Sequence, residues 1–284
     1  MYFRSDMAKE LHERAVKEYS KDHTGEPDGI RYSEHGKVSV VEVYNDNGAR
    51  LLGKPVGKYV TVSVGRVWET DADSFRRCAD TVSDTVKSLK KPDGCVLAVG
   101  LGNEDVTADA LGPLAAKHMT ATHHITNTDI YKNSGFGDLA VLSPGVLSQT
   151  GVEAVSQIKA AVASVKPCLI IVVDSLAAAG IETLSTSVQI TDTGISPGSG
   201  VGNDRGELSK RTLGVPVIAI GVPTVIDAAA LLQNGSDGEY KRLKGCYVCP
   251  KDSDRSVKEL SRLIGYSINR VCHPFLPYDD MAYI

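Results

Sequence analysis

The chain has 284 residues and a formal net charge of −4, and 42% of its residues are hydrophobic. The weak negative charge argues against a nucleic-acid partner, because binding to phosphates needs clustered positive charge. No apolar run approaches the roughly 18–20 residues of a membrane-spanning helix, and none near the N-terminus suits a secretory signal. The composition therefore predicts a globular cytoplasmic protein with no membrane partner.

The first ninety residues alternate between helical and β-branched segments. Glycine and proline interrupt the polar stretch after the first helix, which predicts a loop there. Valine-rich and alternating segments predict two strands, with an Asn-Asp-Asn-Gly turn after the first. In chain order, the predicted elements are a helix over 7–20, a loop over 21–36, a strand over 37–44, a turn over 45–48, a strand over 58–67 and a helix over 71–90.

Beyond residue 94, short continuous apolar runs alternate with amphipathic segments, a pattern typical of buried parallel strands and the helices that cover them. The predicted strands are 95–99, 168–173, 188–190 and 216–221, and the predicted helices are 108–117, 151–165, 224–233 and 253–271. The sequence thus predicts a three-layer α/β/α fold with a mostly parallel central sheet and a small antiparallel N-terminal feature. We expect one domain over 1–284, with 1–90 as a helix and strand elaboration and 91–284 as the α/β core.

Two aspartates follow predicted buried strands. Asp174 comes directly after the strand over 168–173, and Asp109 lies just beyond the loop that leaves the strand over 95–99. Ligands bind at the carboxyl edge of open α/β sheets, so neighbouring strands would bring both carboxylates to one crevice. Two close carboxylates resist ionising together, which places an acid beside a base. The base could activate water, and the acid could polarise a scissile carbonyl or protonate the leaving nitrogen.

Both aspartates also have a structural interpretation. Thr107 could be the N-cap of a helix, with Asp109 in its first turn, where the helix dipole favours a carboxylate. Asp174 could cap a turn after its strand. The residue pattern alone leaves the catalytic and the structural interpretation open.

A glycine-rich stretch supplies a candidate substrate-binding loop, whose residues are Gly198, Ser199, Gly200, Gly202 and Asn203. Dense glycine permits positive φ and close backbone approach. The stretch lacks the Gly-Lys-Ser/Thr of a phosphate-binding P-loop. Its backbone N–H groups could bind an oxyanion or a substrate backbone, and a tight structural connection is the alternative.

The cysteines and histidines show no complete metal-binding motif. Cys246 and Cys249 form a single CxxC, which is half of a strong zinc signal and could be completed only by the distant pair Cys272 and His273. The cysteines are therefore predicted to be reduced, structural thiols, and no histidine shows a ligand spacing. Asp105 stands where a dinucleotide-binding fingerprint would have its third glycine. We therefore predict no metal and no cofactor.

Several segments, in the same order, resemble the germination proteases of spore-forming bacteria. They are 100–103, 109–113, 143–146, 192–195, 197–203 and 218–225. The resemblance implies a fold similar to the hydrogenase-maturation peptidases and an aspartic-type endopeptidase with Asp109 and Asp174 as the catalytic pair. It also implies small acid-soluble spore proteins as substrates, a homotetramer, and a location in the cytoplasm of the spore core.

Two other functions stay open. The first is a metal-dependent peptidase on the same fold, with Asp109 and Asp174 as metal ligands. The second is a non-catalytic relative that binds spore proteins.

Overall fold

The computed structural model describes residues 5–21, 25, 27–196, 206–232, 237–243 and 245–278. The helices are α1 (Ala8–Tyr19), α2 (Asp46–Leu52), α3 (Ala72–Leu89), α4 (Leu111–Lys117), α5 (Asp129–Ser134), α6 (Leu147–Thr150), α7 (Ala154–Val165), α8 (Lys210–Leu213), α9 (Asp237–Leu243) and α10 (Ser253–Cys272). The strands are β1 (Ile30–His35), β2 (Val38–Val43), β3 (Gly57–Ser63), β4 (Val96–Gly100), β5 (Leu139–Leu142), β6 (Leu169–Ala178), β7 (Ser187–Thr191), β8 (Val217–Asp227) and β9 (Tyr247–Val248).

The strands form a nine-stranded mixed sheet in the order β1-β2-β3-β7-β8-β6-β4-β5, and β9 also pairs with β8. The pairs β5–β4, β4–β6 and β6–β8 are parallel, and they form the centre of the α/β architecture. From β8 the sheet continues through β7, β3, β2 and β1 in antiparallel pairs. The predicted α/β fold is confirmed, and the antiparallel N-terminal feature is the far half of the same sheet. The assignment of 1–284 to one domain stays a prediction.

Alternate residues of the central strands pack into different layers, as the period-two geometry of a strand requires. On β4, Val96 and Ala98 belong to the core shared with α3, α4 and α10. Leu97 and Val99 belong to a second core with α7 and α8. A third core joins α1 and α2 to β2 and β3, through residues such as Val41. No described helix has the length and apolar character needed to span a bilayer.

Two sequence predictions fail in the N-terminal region. Residues 30–35 form β1, where we expected a loop, because this edge strand is largely polar and half exposed and so lacks the apolar alternation of a buried strand. The predicted turn over 45–48 instead begins α2. The side chain of Asn45 accepts a hydrogen bond from the Gly48 backbone N–H at 3.0 Å, which is the geometry of an N-cap.

A third failure concerns the end of β8. We expected a helix over 224–233, but β8 continues to Asp227 and is followed only by a short 3-10 turn, Ala228–Leu231. Val225 and Ile226 pair with the end of β6 in this extension. Their β-branched side chains favour a strand, and tertiary pairing outweighs the helical spacing of the segment.

Glycines allow α4 to approach the ends of β4 and β6 very closely. A Cβ on Gly112, at the start of α4, would lie 2.2 Å from the Leu101 carbonyl oxygen and 2.6 Å from the Val173 carbonyl oxygen. A Cβ on Gly100 would lie 2.2 Å from the Gly112 carbonyl oxygen. These contacts are with backbone atoms, which cannot rotate away. The segment that carries Asp109 is therefore held directly against β6.

We expect Gly112→Ala to lower the free energy of unfolding by about 1–3 kcal/mol, because the added methyl overpacks a backbone contact. Helix propensity alone predicts the opposite sign, since alanine is favoured over glycine in helices by about 1 kcal/mol. Denaturant unfolding measures the difference. Gly94→Ala is the control, because its Cβ meets only Cys168, at 3.7 Å. Equal effects of the two substitutions would contradict the packing argument.

Candidate active site

A cavity of about 810 Å³ opens on the face of the sheet that carries α1, α2, α7 and α8. Its floor includes Tyr59 from β3, Gln189 from β7 and Gly221 from β8. Residues 53–55 after α2 lie on one side, and residues 153–155 at the start of α7 lie on the other. The cavity thus lies between two groups of helices on this face, α1 with α2 and α7 with α8.

Asp174 reaches the cavity because a neighbouring strand ends. The last register pair between β4 and β6 joins Gly100 to Val173, so Asp174 is the first β6 residue beyond β4. On its other side Asp174 stays paired with Gly221 of β8. Its side chain is 6% exposed, and one oxygen accepts a hydrogen bond from the Ser175 N–H at 2.9 Å. Asp174 therefore lies within a strand that runs to Ala178, and the predicted turn cap is wrong.

Asp109 ends a 3-10 turn, Thr107–Asp109, that leads into α4. Its Oδ2 accepts a hydrogen bond from the Asn103 N–H at 2.9 Å, and its carbonyl oxygen accepts one from the same group at 3.1 Å. Gly102 has φ +120°, and a Cβ there would meet the Asp109 carbonyl oxygen. The alternative in which Thr107 caps a helix is wrong, since Val106 occupies the cap position and no side chain bonds there.

The carbonyl group of Ala108, next to Asp109, is hydrogen-bonded to a third strand, β8. The Thr224 hydroxyl, on β8, donates a hydrogen bond to the Ala108 carbonyl oxygen at 2.6 Å, and Thr224 is 1% exposed. The turn that carries Asp109 is thus held by hydrogen bonds from the loop that follows β4 and from β8. Asp109 and Asp174 both line the cavity, so the structure brings the predicted pair to one crevice. Their catalytic roles stay predictions.

The glycine-rich loop falls outside the part of the chain that the structure describes, and this applies to Gly198, Ser199, Gly200, Gly202 and Asn203. The residues that flank it are described. Ile195 and Leu208 exchange two backbone hydrogen bonds, of 3.0 and 2.8 Å. Both residues line the cavity. The two ends of the loop are therefore fixed at the cavity wall.

Several charged residues of the cavity were missed by sequence reasoning, and Asp6 and Lys54 are two of them. Asp6 Oδ2 accepts a hydrogen bond from the Ala177 N–H at 2.9 Å, so the N-terminal segment reaches β6. Burial lowers the pKa of the Lys54 ammonium, and the nearby charge of Asp6 opposes that shift. Neither residue belongs to a sequence motif. Only the fold brings them to the cavity.

A serine nucleophile in this cavity would lack a histidine partner among the described residues. Ser175 lines it, and its hydroxyl is buried with no hydrogen-bond partner among the described residues. The described residues that line the cavity include no histidine. A serine nucleophile needs an adjacent base, usually histidine, so the acid pair is the better-equipped group.

The zinc site that Cys246, Cys249, Cys272 and His273 could have formed is not found within the described residues. The two CxxC thiols are exposed, whereas Cys272 is buried. His273 is also buried, and both of its ring nitrogens have backbone partners.

Comparison with known proteins gives consistent matches. A family model described as germination protease matches residues 4–245. The chain is 36% identical over 297 residues to a germination protease of Caldanaerobacter subterraneus subsp. tengcongensis, covering 89% of this chain and 91% of that protein. It is 41% identical over 244 residues to a germination protease of Bacillus velezensis, covering 82% of this chain and 66% of that protein. Among solved structures, the [NiFe] hydrogenase maturation protease HycI of Thermococcus kodakarensis matches with a TM-score of 0.39 and 19% identity, covering 66% of this chain and 98% of that chain.

We expect Thr224→Val to lower the free energy of unfolding by about 1–3 kcal/mol, because the Ala108 carbonyl loses its buried donor. The two side chains have nearly the same shape, so the change isolates the hydrogen bond. Thermal or denaturant unfolding measures it. Thr81→Val is the matched control, since Thr81 bonds only a carbonyl of its own helix, that of Arg77 at 2.8 Å. If Thr224→Val lowers the free energy of unfolding no more than Thr81→Val does, the hydrogen bond to Ala108 does not stabilise the turn.

Proposed function

We propose that this chain, which belongs to the germination protease family, is an endopeptidase that cleaves small acid-soluble spore proteins during germination by aspartic-type hydrolysis. The supporting observation is that Asp109 and Asp174, remote in sequence, line one cavity at the carboxyl edge of the parallel strands. Ligands bind at this edge in open α/β sheets. The peptidase class follows the family, and the substrate and the catalytic type are our proposal.

In the proposed mechanism, the two carboxyl groups share one proton. The ionised member takes a proton from water, and the water oxygen attacks the scissile carbonyl carbon. The protonated member donates its proton to the carbonyl oxygen, which gives a tetrahedral diol. The member that took the proton from water then passes it to the leaving nitrogen as the C–N bond breaks, and the other carboxylate takes a proton from one diol hydroxyl. The products are a carboxylic acid and an amine, and the pair again holds one proton. A pair that shares one proton acts as a unit, so the acid and base roles are not assigned to one residue each.

The cavity suits an extended substrate backbone. Beyond the end of β4, the free edge of β6 already binds one extended segment: the Asp6 N–H donates to the Ala177 carbonyl oxygen at 2.8 Å. Disordered substrates can present such a backbone without first unfolding. We propose that Gly198, Ser199, Gly200, Gly202 and Asn203 add further backbone contacts, since the described ends of their loop line the cavity.

We expect Asp109→Asn and Asp174→Asn each to reduce kcat/KM for a small acid-soluble spore protein by at least about 100-fold, the scale of general acid–base catalysis. Fragments are identified and quantified by mass spectrometry, and circular dichroism verifies the fold. Asp129→Asn is the control, because its side chain is exposed on α5, outside the cavity.

Other results would point to the alternatives. A native chain that binds the substrate without cutting it favours the non-catalytic relative. Cleavage that requires an added metal ion after exhaustive chelation favours the metal-dependent peptidase. Full activity in either asparagine variant removes the acid pair from the mechanism.

We also propose that the protein is a homotetramer in the cytoplasm of the spore core. We expect sedimentation velocity to give a species of four times the chain mass of 30.2 kDa. A monomer or dimer across the micromolar range would contradict the tetramer, and it would leave the proposed chemistry of the cavity untouched.

A further inference from the structure

We propose that Cys95, His123 and Asp138 form a binding site for a thiophilic divalent cation, with Zn²⁺ as the best match. They are the one group of three potential metal ligands found within the described part of the chain. The proposal is independent of the peptidase function.

The distances among the three ligand atoms suit zinc. Cys95 Sγ lies 3.6 Å from His123 Nδ1, and His123 Nδ1 lies 2.8 Å from Asp138 Oδ1. All three atoms lie within 4.8 Å of one another. Tetrahedral zinc, with bonds of about 2.3 Å to sulfur and about 2.0 Å to nitrogen and oxygen, separates its ligands by roughly 3.3–3.5 Å. The sulfur–nitrogen pair already fits, and the nitrogen–oxygen pair needs to open by about half an ångström to meet those bond lengths.

The sheet holds the ligands in place. Cys95 precedes β4 and Asp138 precedes β5, and these strands are parallel neighbours. The Val96 N–H donates to the Asp138 carbonyl oxygen at 2.9 Å, which fixes the two ligand-bearing backbones against each other. A site on rigid strands needs little reorganisation to bind an ion.

His123 is anchored to the same edge by its neighbour. The Thr122 N–H donates to the Leu139 carbonyl oxygen at 2.8 Å, and the Thr122 hydroxyl donates to the Gly137 carbonyl oxygen at 2.6 Å. His123 begins the 3-10 turn that follows, His123–Ile125. The two hydrogen bonds of Thr122 therefore hold His123 beside Cys95 and Asp138, and they do not involve the ligand atoms.

Charge and access also favour a divalent cation. A thiolate and a carboxylate together supply two negative charges, which balance Zn²⁺, and neutral histidine supplies a nitrogen ligand. The side chains of His123 and Asp138 are 40% and 23% exposed, so an ion can enter from solvent and water can take a fourth position.

Cys95 and cavity residue Asp109 flank opposite ends of β4, a five-residue strand about 16 Å long. The site is thus separate from the cavity, and the role we assign is to clamp β4 to β5.

The test is Zn²⁺ titration by calorimetry on the full chain carrying Cys246→Ser and Cys249→Ser, which removes the exposed CxxC thiols. We expect one Zn²⁺ per chain, a raised melting temperature on binding, and at least about a tenfold loss of affinity in Cys95→Ser and in His123→Ala. Co²⁺ serves as a spectroscopic probe, because a thiolate-to-cobalt absorption band is expected only when Cys95 is present. His124→Ala is the matched control and should bind normally, since that neighbouring histidine lies outside the group.

Absence of saturable one-to-one binding would overturn the proposal, as would unchanged affinity in Cys95→Ser or an equal loss in His124→Ala. If Cys95→Ser does not fold, Asp138→Asn takes its place, and unchanged affinity in that variant has the same meaning.

Discussion

The close contact between the N-terminal end of α4 and the ends of β4 and β6 determines the geometry of the candidate active site. It depends on glycine, because a side chain at Gly100 or Gly112 would collide with backbone atoms. The contact brings the turn that ends at Asp109 to the point where β6 passes beyond β4. Asp174 occupies that point. Two aspartates on separate elements therefore line one cavity without any sequence motif that joins them.

Unequal strand lengths create the cavity around this contact. β4 ends at Gly100, whereas β6 continues to Ala178 and β8 to Asp227, so two paired strands extend past their neighbour. This edge of β6, which β4 leaves unpaired, is partly covered by Asp6 near the start of the described chain. The rest faces the space between α2 and α7. The end of β4, which leaves this edge of β6 without a strand partner, thus also brings the buried carboxylate of Asp174 to the cavity.

The sequence predicted the elements whose signals are local. The apolar runs of β4 and β6 are continuous because both faces of these strands are buried. In α3 and α10, the apolar residues recur at helical spacing. β1 was missed because a polar edge strand has no such pattern. The rule that ligands bind at the carboxyl edge of a parallel sheet predicted that Asp109 and Asp174 would line one cavity. Lys54 and the group around His123 could not be found this way, since their neighbours are brought together only by tertiary packing.

The two proposed sites lie at opposite ends of β4, and this separation affects how a metal dependence of cleavage should be interpreted. A cation held by Cys95, His123 and Asp138 would stabilise the pairing of β4 with β5, which is the scaffold on which the cavity is built. Its removal would reduce activity only by destabilising the fold, so the loss of activity would parallel the drop in melting temperature. A cation held by Asp109 and Asp174 would instead act on the reaction itself, so activity would be lost while the fold stays intact. Stability and activity measured on the same chelated sample therefore separate a structural ion from a catalytic one.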